Sequence, residues 1–246
     1  MKSANWLNKM DVFYFDMGNT LLDFHKGFTD EEKDLIGLER LRVHINELYD
    51  VEVTIVELIT DFLDNWSKDF YIRSTFLIEI DALKYLNGLL EKKGLKLGVE
   101  EGRVALRIFY SEYINQVVVN PNAFKLLKVL KKRDKRIGVI SNCYLFEEFY
   151  KEAFEKVGLD QYIDAYTFSY TIGKRKPEKA MFEKALEVLK ADPKKSVMIG
   201  DSLKADIGGA QASGMKGIWY NQYRKENETM VTSDLEIRDF SELIEN

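Results

Sequence analysis

The stretch VFYFDMGNTLLDF, residues 12–24, begins with four apolar residues, stops on Asp16 and opens into a Gly-Asn turn. A short unbroken apolar run that ends at a turn predicts a strand buried on both faces. From residue 24 to about 118 the period changes. TDEEKDLIGLERLRVHINELYD places Leu35, Leu38, Leu41, Ile45 and Leu48 at helical spacing behind a capping box of Thr29 and Glu32. A second box, Thr54 with Glu57, opens VELITDFLDNWSKDFY. Helical spacing continues through IDALKYLNGLLEKK, stopped by Gly94, and through EEGRVALRIFYSEYINQV. No part of this span reads as a strand.

From Asn120 onward helices and strands alternate. PNAFKLLKVLKKRD reads as a helix, RIGVIS as a strand, and EEFYKEAFEKV as a helix closed by Gly158. A strand in AYTFSY, a helix in EKAMFEKALEVLK, a strand in SVMIG, a helix in KADIGGAQAS stopped by Gly214 and a strand in GIWY complete the run. Short apolar strands alternating with helices predict a parallel sheet covered on both faces. The expected fold class is therefore α/β, a doubly wound, Rossmann-like core formed by 1–23 and 119–246, with an all-helical cap domain inserted at 24–118.

Composition narrows the function by exclusion. A chain of 246 residues, 46% hydrophobic and 31% charged, can bury one large core or a core with an insert. A net charge of -5 and a pI near 5.4 argue against nucleic acid as a partner. The clusters KVLKKRDKR and GKRKPEK are basic all the same, and the first reads as the solvated end of a helix, where cations complement the macrodipole. One cysteine makes no internal disulfide, and no apolar segment approaches the roughly 18 to 20 residues of a membrane span. A cytoplasmic protein without a membrane partner is expected; its oligomeric state is open.

In an open parallel sheet, ligands bind beyond the carboxyl ends of the strands. Those ends carry Asp16, Ser141 with Asn142, and Asp201, and Lys176 lies in the loop after AYTFSY. Singly, each has an ordinary reading as a cap, a turn residue or a surface lysine. Together, on one edge of one sheet, they predict a site. The same residues resemble the four short motifs of the haloacid dehalogenase-like hydrolase superfamily, whose members are mostly phosphatases. DMGNT is similar to the first motif, with Asp16 leading and Thr20 four residues on; SN at 141–142, KP at 176–177 and GDSLKADIGGA at 200–210 resemble the other three.

The resemblance implies a Mg²⁺-dependent phosphohydrolase acting on a small phosphorylated molecule. Asp16 would be the nucleophile, forming an aspartyl-phosphate, with Lys176 and Ser141 as its catalytic partners. Met17, Thr20, Asn142, Ser141 and Lys176 would hold the phosphoryl group. The metal ligands would be Asp16, Asp201, the Gly18 carbonyl and Asp206, the last either near the ion or holding its water. Two adjacent carboxylates call for a cation, and Mg²⁺ favours a few carboxylates together with a substrate phosphate.

Gly18 departs from the phosphatase pattern, which has a second Asp at that position as general acid and base. Four readings follow. Water or a cap group such as Asp23 or His25 transfers the proton in a phosphatase; the chain is a 2-haloacid dehalogenase, whose halide leaves unprotonated; it is a low-turnover binding or regulatory relative using the cap as an interaction surface; or it is a phosphonate hydrolase with a cap lysine, Lys26, Lys33 or Lys84, as imine partner. The acidic GDSLKAD segment favours the phosphatase.

Overall fold

The computed structural model describes residues 6–244, which form two compact units. The first comprises the chain up to Asp23, Val118–Asn142 and the part from Phe154 onward. Its centre is strand β1, Val12–Phe15, whose four residues are all buried. A two-residue antiparallel pair, β2 (Leu22–Asp23) and β3 (Val118–Val119), follows, and strands β4 (Arg136–Ser141), β5 (Ala165–Phe168), β6 (Ser196–Gly200), β7 (Lys216–Tyr220) and β8 (Leu235–Ile237) complete the unit. The main sheet runs β5-β4-β1-β6-β7-β8, with every neighbouring pair parallel.

This order explains why β1 is apolar throughout. Val12 sits beside Arg136 of β4 and Ser196 of β6, so β1 has a strand on each side and helices over both faces. Its alternate residues serve opposite faces. Val12 and Tyr14 join Ile140, Met181, Phe182 and Met198 in one cluster, where the Tyr14 hydroxyl donates to the carbonyl of Ala185 at 2.9 Å. Phe15, on the other face, meets Phe240 edge-on at 6.2 Å. Each such side chain contributes roughly 1.5–3 kcal/mol by leaving water. The central strand is therefore a rigid mount for the residue that follows it.

The second unit comprises Phe24–Val117 and Cys143–Ala153. Dividing the chain at 23/24 and 118/119 leaves the latter segment with the sheet, whereas by compactness it groups with the helices. Helix Asp30–Tyr49 starts at the expected capping box: the Thr29 hydroxyl accepts from the Glu32 amide at 3.2 Å, and the Glu32 carboxylate accepts from the Thr29 amide at 2.8 Å. Leu38, Leu41 and Ile45 are buried, while Leu35 and Leu48 face outward. The expected second helix is interrupted. A wide π-turn at Leu58–Leu63 lies between Ile55–Glu57 and Asp64–Lys68, and Phe62 within it stacks on Trp66 at 5.8 Å.

Lys33, fully buried in the second unit, donates to the carbonyls of Phe24 (2.7 Å) and Lys26 (2.8 Å). Phe24 and Tyr110 both pack on Tyr150, which belongs to the segment contributed from beyond β4. No helix among the described residues is long and apolar enough to cross a membrane.

Candidate active site

Because β1 lies between β4 and β6, the residues ending these three strands are brought together in the first unit. Asp16 follows β1, and its amide donates to the Ile199 carbonyl of β6 at 2.9 Å, prolonging the ladder by one bond. Ser141 ends β4 and its hydroxyl donates to Asp16 Oδ1 at 3.1 Å. Asp201 follows Gly200, the last residue of β6. Lys176 arrives from the loop after β5, at a cis bond to Pro177.

The Lys176 ammonium is buried, and three acceptors surround it: Asp16 Oδ1 at 2.5 Å, Asp206 Oδ1 at 2.6 Å and the Ile140 carbonyl at 2.7 Å. An ammonium has three donors, so in this arrangement all are used. Lys176 thus clamps two carboxylates, and a phosphoryl oxygen could take one of its N–H groups only by exchange. Burial pulls the pKa of this lysine down, but the charges of Asp16 and Asp206 outweigh it and hold it above its ordinary value. Asp206 is pushed up by burial, with Lys176 acting in the opposite direction. The Asp201 carboxyl is pushed up to about 7, first by burial and then by the negative charges of Asp16 and Asp206.

One carboxylate oxygen from each of Asp16, Asp201 and Asp206 lies within 4.8 Å of the others. This tests the fit of the implied metal. The donors are all hard oxygens, they are partly desolvated, and their mutual repulsion raises the proton affinity of Asp201 where a cation would otherwise relieve it. The trio has the donor chemistry to hold Mg²⁺.

Several supports had no clear signal in the sequence. The Asn142 side chain accepts from the Lys176 amide at 2.7 Å and donates back to the Lys176 carbonyl at 3.3 Å, fixing the loop that delivers the ammonium. Asn120 donates to the Thr20 carbonyl at 2.5 Å, and Trp219 donates its indole N–H to the Asp201 carbonyl at 3.0 Å. A β-carbon on Gly200 would stand 2.3 Å from Asp206 Oδ2, so only glycine admits that carboxylate. The Gly-Asp pair before KAD was the available clue to this approach.

The remaining expected residues cluster around the β1 turn. Thr20 sends its hydroxyl toward Asp16 Oδ2 at 3.4 Å, a long contact. The Met17 carbonyl accepts from the amides of Leu21 and Leu22, both at 2.9 Å. Gly18 bridges to Leu22, and the left-handed position of the turn falls on Asn19, at φ 58°. Space around Gly18 is open: a β-carbon there would meet nothing within 4 Å among the described residues. Outside this unit, His25 lies 2.8 Å from Asp30, and Lys26 and Lys84 are exposed.

Known proteins place this geometry. Over 97% of its length the chain is 26% identical to a glyceraldehyde 3-phosphate phosphatase of Pyrococcus furiosus, covering 90% of that protein. It is 27% identical to the pyrimidine 5'-nucleotidase YjjG of Escherichia coli, over 89% of each chain. Among solved structures, a 2-haloacid dehalogenase from Pseudomonas syringae pv. Tomato DC3000 superposes with a TM-score of 0.69 at 26% identity, over 96% of this chain and 97% of the other. The family model of the haloacid dehalogenase-like hydrolases matches residues 10–214. With its sheet order and carboxylate trio as described, the chain belongs to that hydrolase family.

Proposed function

We propose that this hydrolase is a phosphohydrolase that cleaves a small phosphomonoester through Asp16, with Mg²⁺ as its cofactor. The observation that carries the reading is the convergence on one carboxylate of Lys176 and Ser141, beside the two further acids Asp201 and Asp206. Relatives that match most of the chain, and are named as phosphatases and nucleotidases, support it. Asp16, Asp201 and Asp206, with the Gly18 carbonyl, would hold Mg²⁺, which supplies positive charge opposite the phosphoryl oxygens.

Asp16 presents a carboxylate oxygen to phosphorus, and the Asp16–phosphorus bond forms as the bond to the alcohol oxygen breaks, the electron pair leaving with the alcohol. Ser141 donates its hydroxyl to a phosphoryl oxygen, and the backbone around Met17 and Asn142 completes the cradle with Thr20. Lys176 neutralises charge beside Asp16, while Asn142 keeps it in place. With glycine at 18, the alcohol takes its proton from water. Water then attacks the phosphoryl group of the aspartyl-phosphate, releasing inorganic phosphate and regenerating Asp16.

Halide displacement has no use for a metal, so a carboxylate trio suited to a cation weighs against the 2-haloacid dehalogenase reading. Of the three lysines named for the phosphonate reading, Lys33 has its ammonium spent on two carbonyls, and Lys26 and Lys84 are exposed rather than buried as an imine-forming lysine would be.

The test is release of p-nitrophenol from p-nitrophenyl phosphate with Mg²⁺ and with a chelator. Metal-dependent release, abolished by Asp16→Asn, is expected. Mg²⁺ should also raise the Tm of the wild type more than that of Asp201→Asn. Chelator-insensitive halide release from a 2-haloacid, without phosphatase activity, would overturn the proposal; activity retained in Asp16→Asn would remove the covalent intermediate.

A further inference from the structure

The second unit holds a cavity of about 230 Å³. Its aromatic lining is a continuous wall: Trp66 meets Phe70 at 5.2 Å and Tyr144 at 5.5 Å, and Tyr110 meets Tyr144 at 6.0 Å and Tyr113 at 4.8 Å. An ordinary core would fill such a space with aliphatic side chains. Here it stays open, and its charged lining is predominantly acidic. Asp34 and Asp30 face it, no lysine or arginine does, and the one basic side chain, His25, is engaged with Asp30 at 2.8 Å.

Asp34 has no ion pair among the described residues; its carboxylate accepts from the Tyr113 hydroxyl at 3.0 Å. The neighbouring Lys33 ammonium is occupied by the Phe24 and Lys26 carbonyls. Burial pushes the Asp34 carboxyl up to about 6, the mark of a half-buried acid whose environment lacks a full counter-charge. A second group also lacks its partner. The indole N–H of Trp66 is buried without an acceptor among the described residues, and leaving such a donor unmet is unfavourable.

We infer that this cavity receives an organic ammonium group, with the aromatic rings as its walls, Asp34 as its counter-ion and a neighbouring ligand oxygen accepting from Trp66. Aromatic faces attract cations through their quadrupoles, most strongly where water is excluded. The unit already uses two of these rings in that way: the Arg73 guanidinium, itself paired with Glu79, sits 4.7 Å from the Phe70 ring and 5.0 Å from that of Tyr144.

Calorimetric titration of the full chain with choline, and with its uncharged isostere in which carbon replaces nitrogen, tests the cavity without reference to catalysis. Choline is expected to bind at least about tenfold more tightly than the isostere. Asp34→Asn, which keeps the shape and can still accept from Tyr113, should abolish that preference, and Phe70→Leu should weaken it, both with the binding of the isostere changed by less than about threefold. Equal binding of choline and isostere, a preference that survives Asp34→Asn, or tighter binding of a neutral nucleoside than of choline would each overturn the inference. Choline binding with no metal-dependent phosphatase activity would overturn only the phosphohydrolase reading, leaving the ammonium site standing.

Discussion

Gly18 and Gly200 are both small residues beside Asp16, but for opposite reasons. At Gly18 the backbone is not left-handed and a side chain has room, so Gly18→Asp should fold normally. If that position can support general acid catalysis, alkyl phosphates, which leave poorly unprotonated, should gain up to about 10²-fold in kcat, and p-nitrophenyl phosphate much less. Steady-state kinetics on the two substrate classes checks this. At Gly200 the space is taken by Asp206. Gly200→Ala should displace that carboxylate and cost about 1–3 kcal/mol of stability, in the range of overpacked cores, measured by chemical denaturation. The two substitutions should therefore diverge, one tolerated and one not. The motif residues were legible in the sequence because strand ends are where ligands bind, a rule that needs only the order of apolar runs. The bracing by Asn142 and by the Ile140 carbonyl was not, because it depends on where a loop folds back in space.

At the scale of elements, Lys33 shows how a charged side chain can act as a structural pin. It lies one turn into helix Asp30–Tyr49 and holds the preceding chain through two backbone carbonyls. Lys33→Met keeps the aliphatic stem but removes both bonds, while also removing the cost of burying the charge. A net loss of about 1–3 kcal/mol is expected in urea denaturation. Capping boxes at Thr29 and Thr54 marked helix starts reliably, since each is a local contact between neighbours in sequence. The π-turn at Leu58–Leu63 escaped because its apolar spacing is close to helical, and the strands at Leu22–Asp23 and Val118–Val119 are too short to show a period. The helix at Glu147–Lys156 was legible as a helix. Its division between the two units was not, because helical spacing records that a face is buried and not what covers it.

For the whole molecule, Asp34 sets a pH dependence opposite in sign to that of an acid held below its ordinary pKa. Its folded pKa, about 6, lies above the ordinary 3.8, so between those values the folded state binds more protons than the unfolded state. Stability should then fall as pH rises from about 4 to about 6, and be flat with respect to this group above that window. Asp34→Asn should remove that part of the slope, as thermal denaturation across the range would show. The fold class was legible because alternating apolar strands and helices admit few arrangements. The terminal strand Leu235–Ile237, only three residues long, was not. The antiparallel pair between Leu22–Asp23 and Val118–Val119 has a further consequence. It brings the two ends of residues 24–117 to neighbouring positions, separated by about the spacing of paired strands, roughly 5 Å. To the sheet, the long excursion has the footprint of a hairpin turn. Descendants of this gene could lengthen, shorten or exchange what lies between those strands without shifting the register of β1 that positions Asp16.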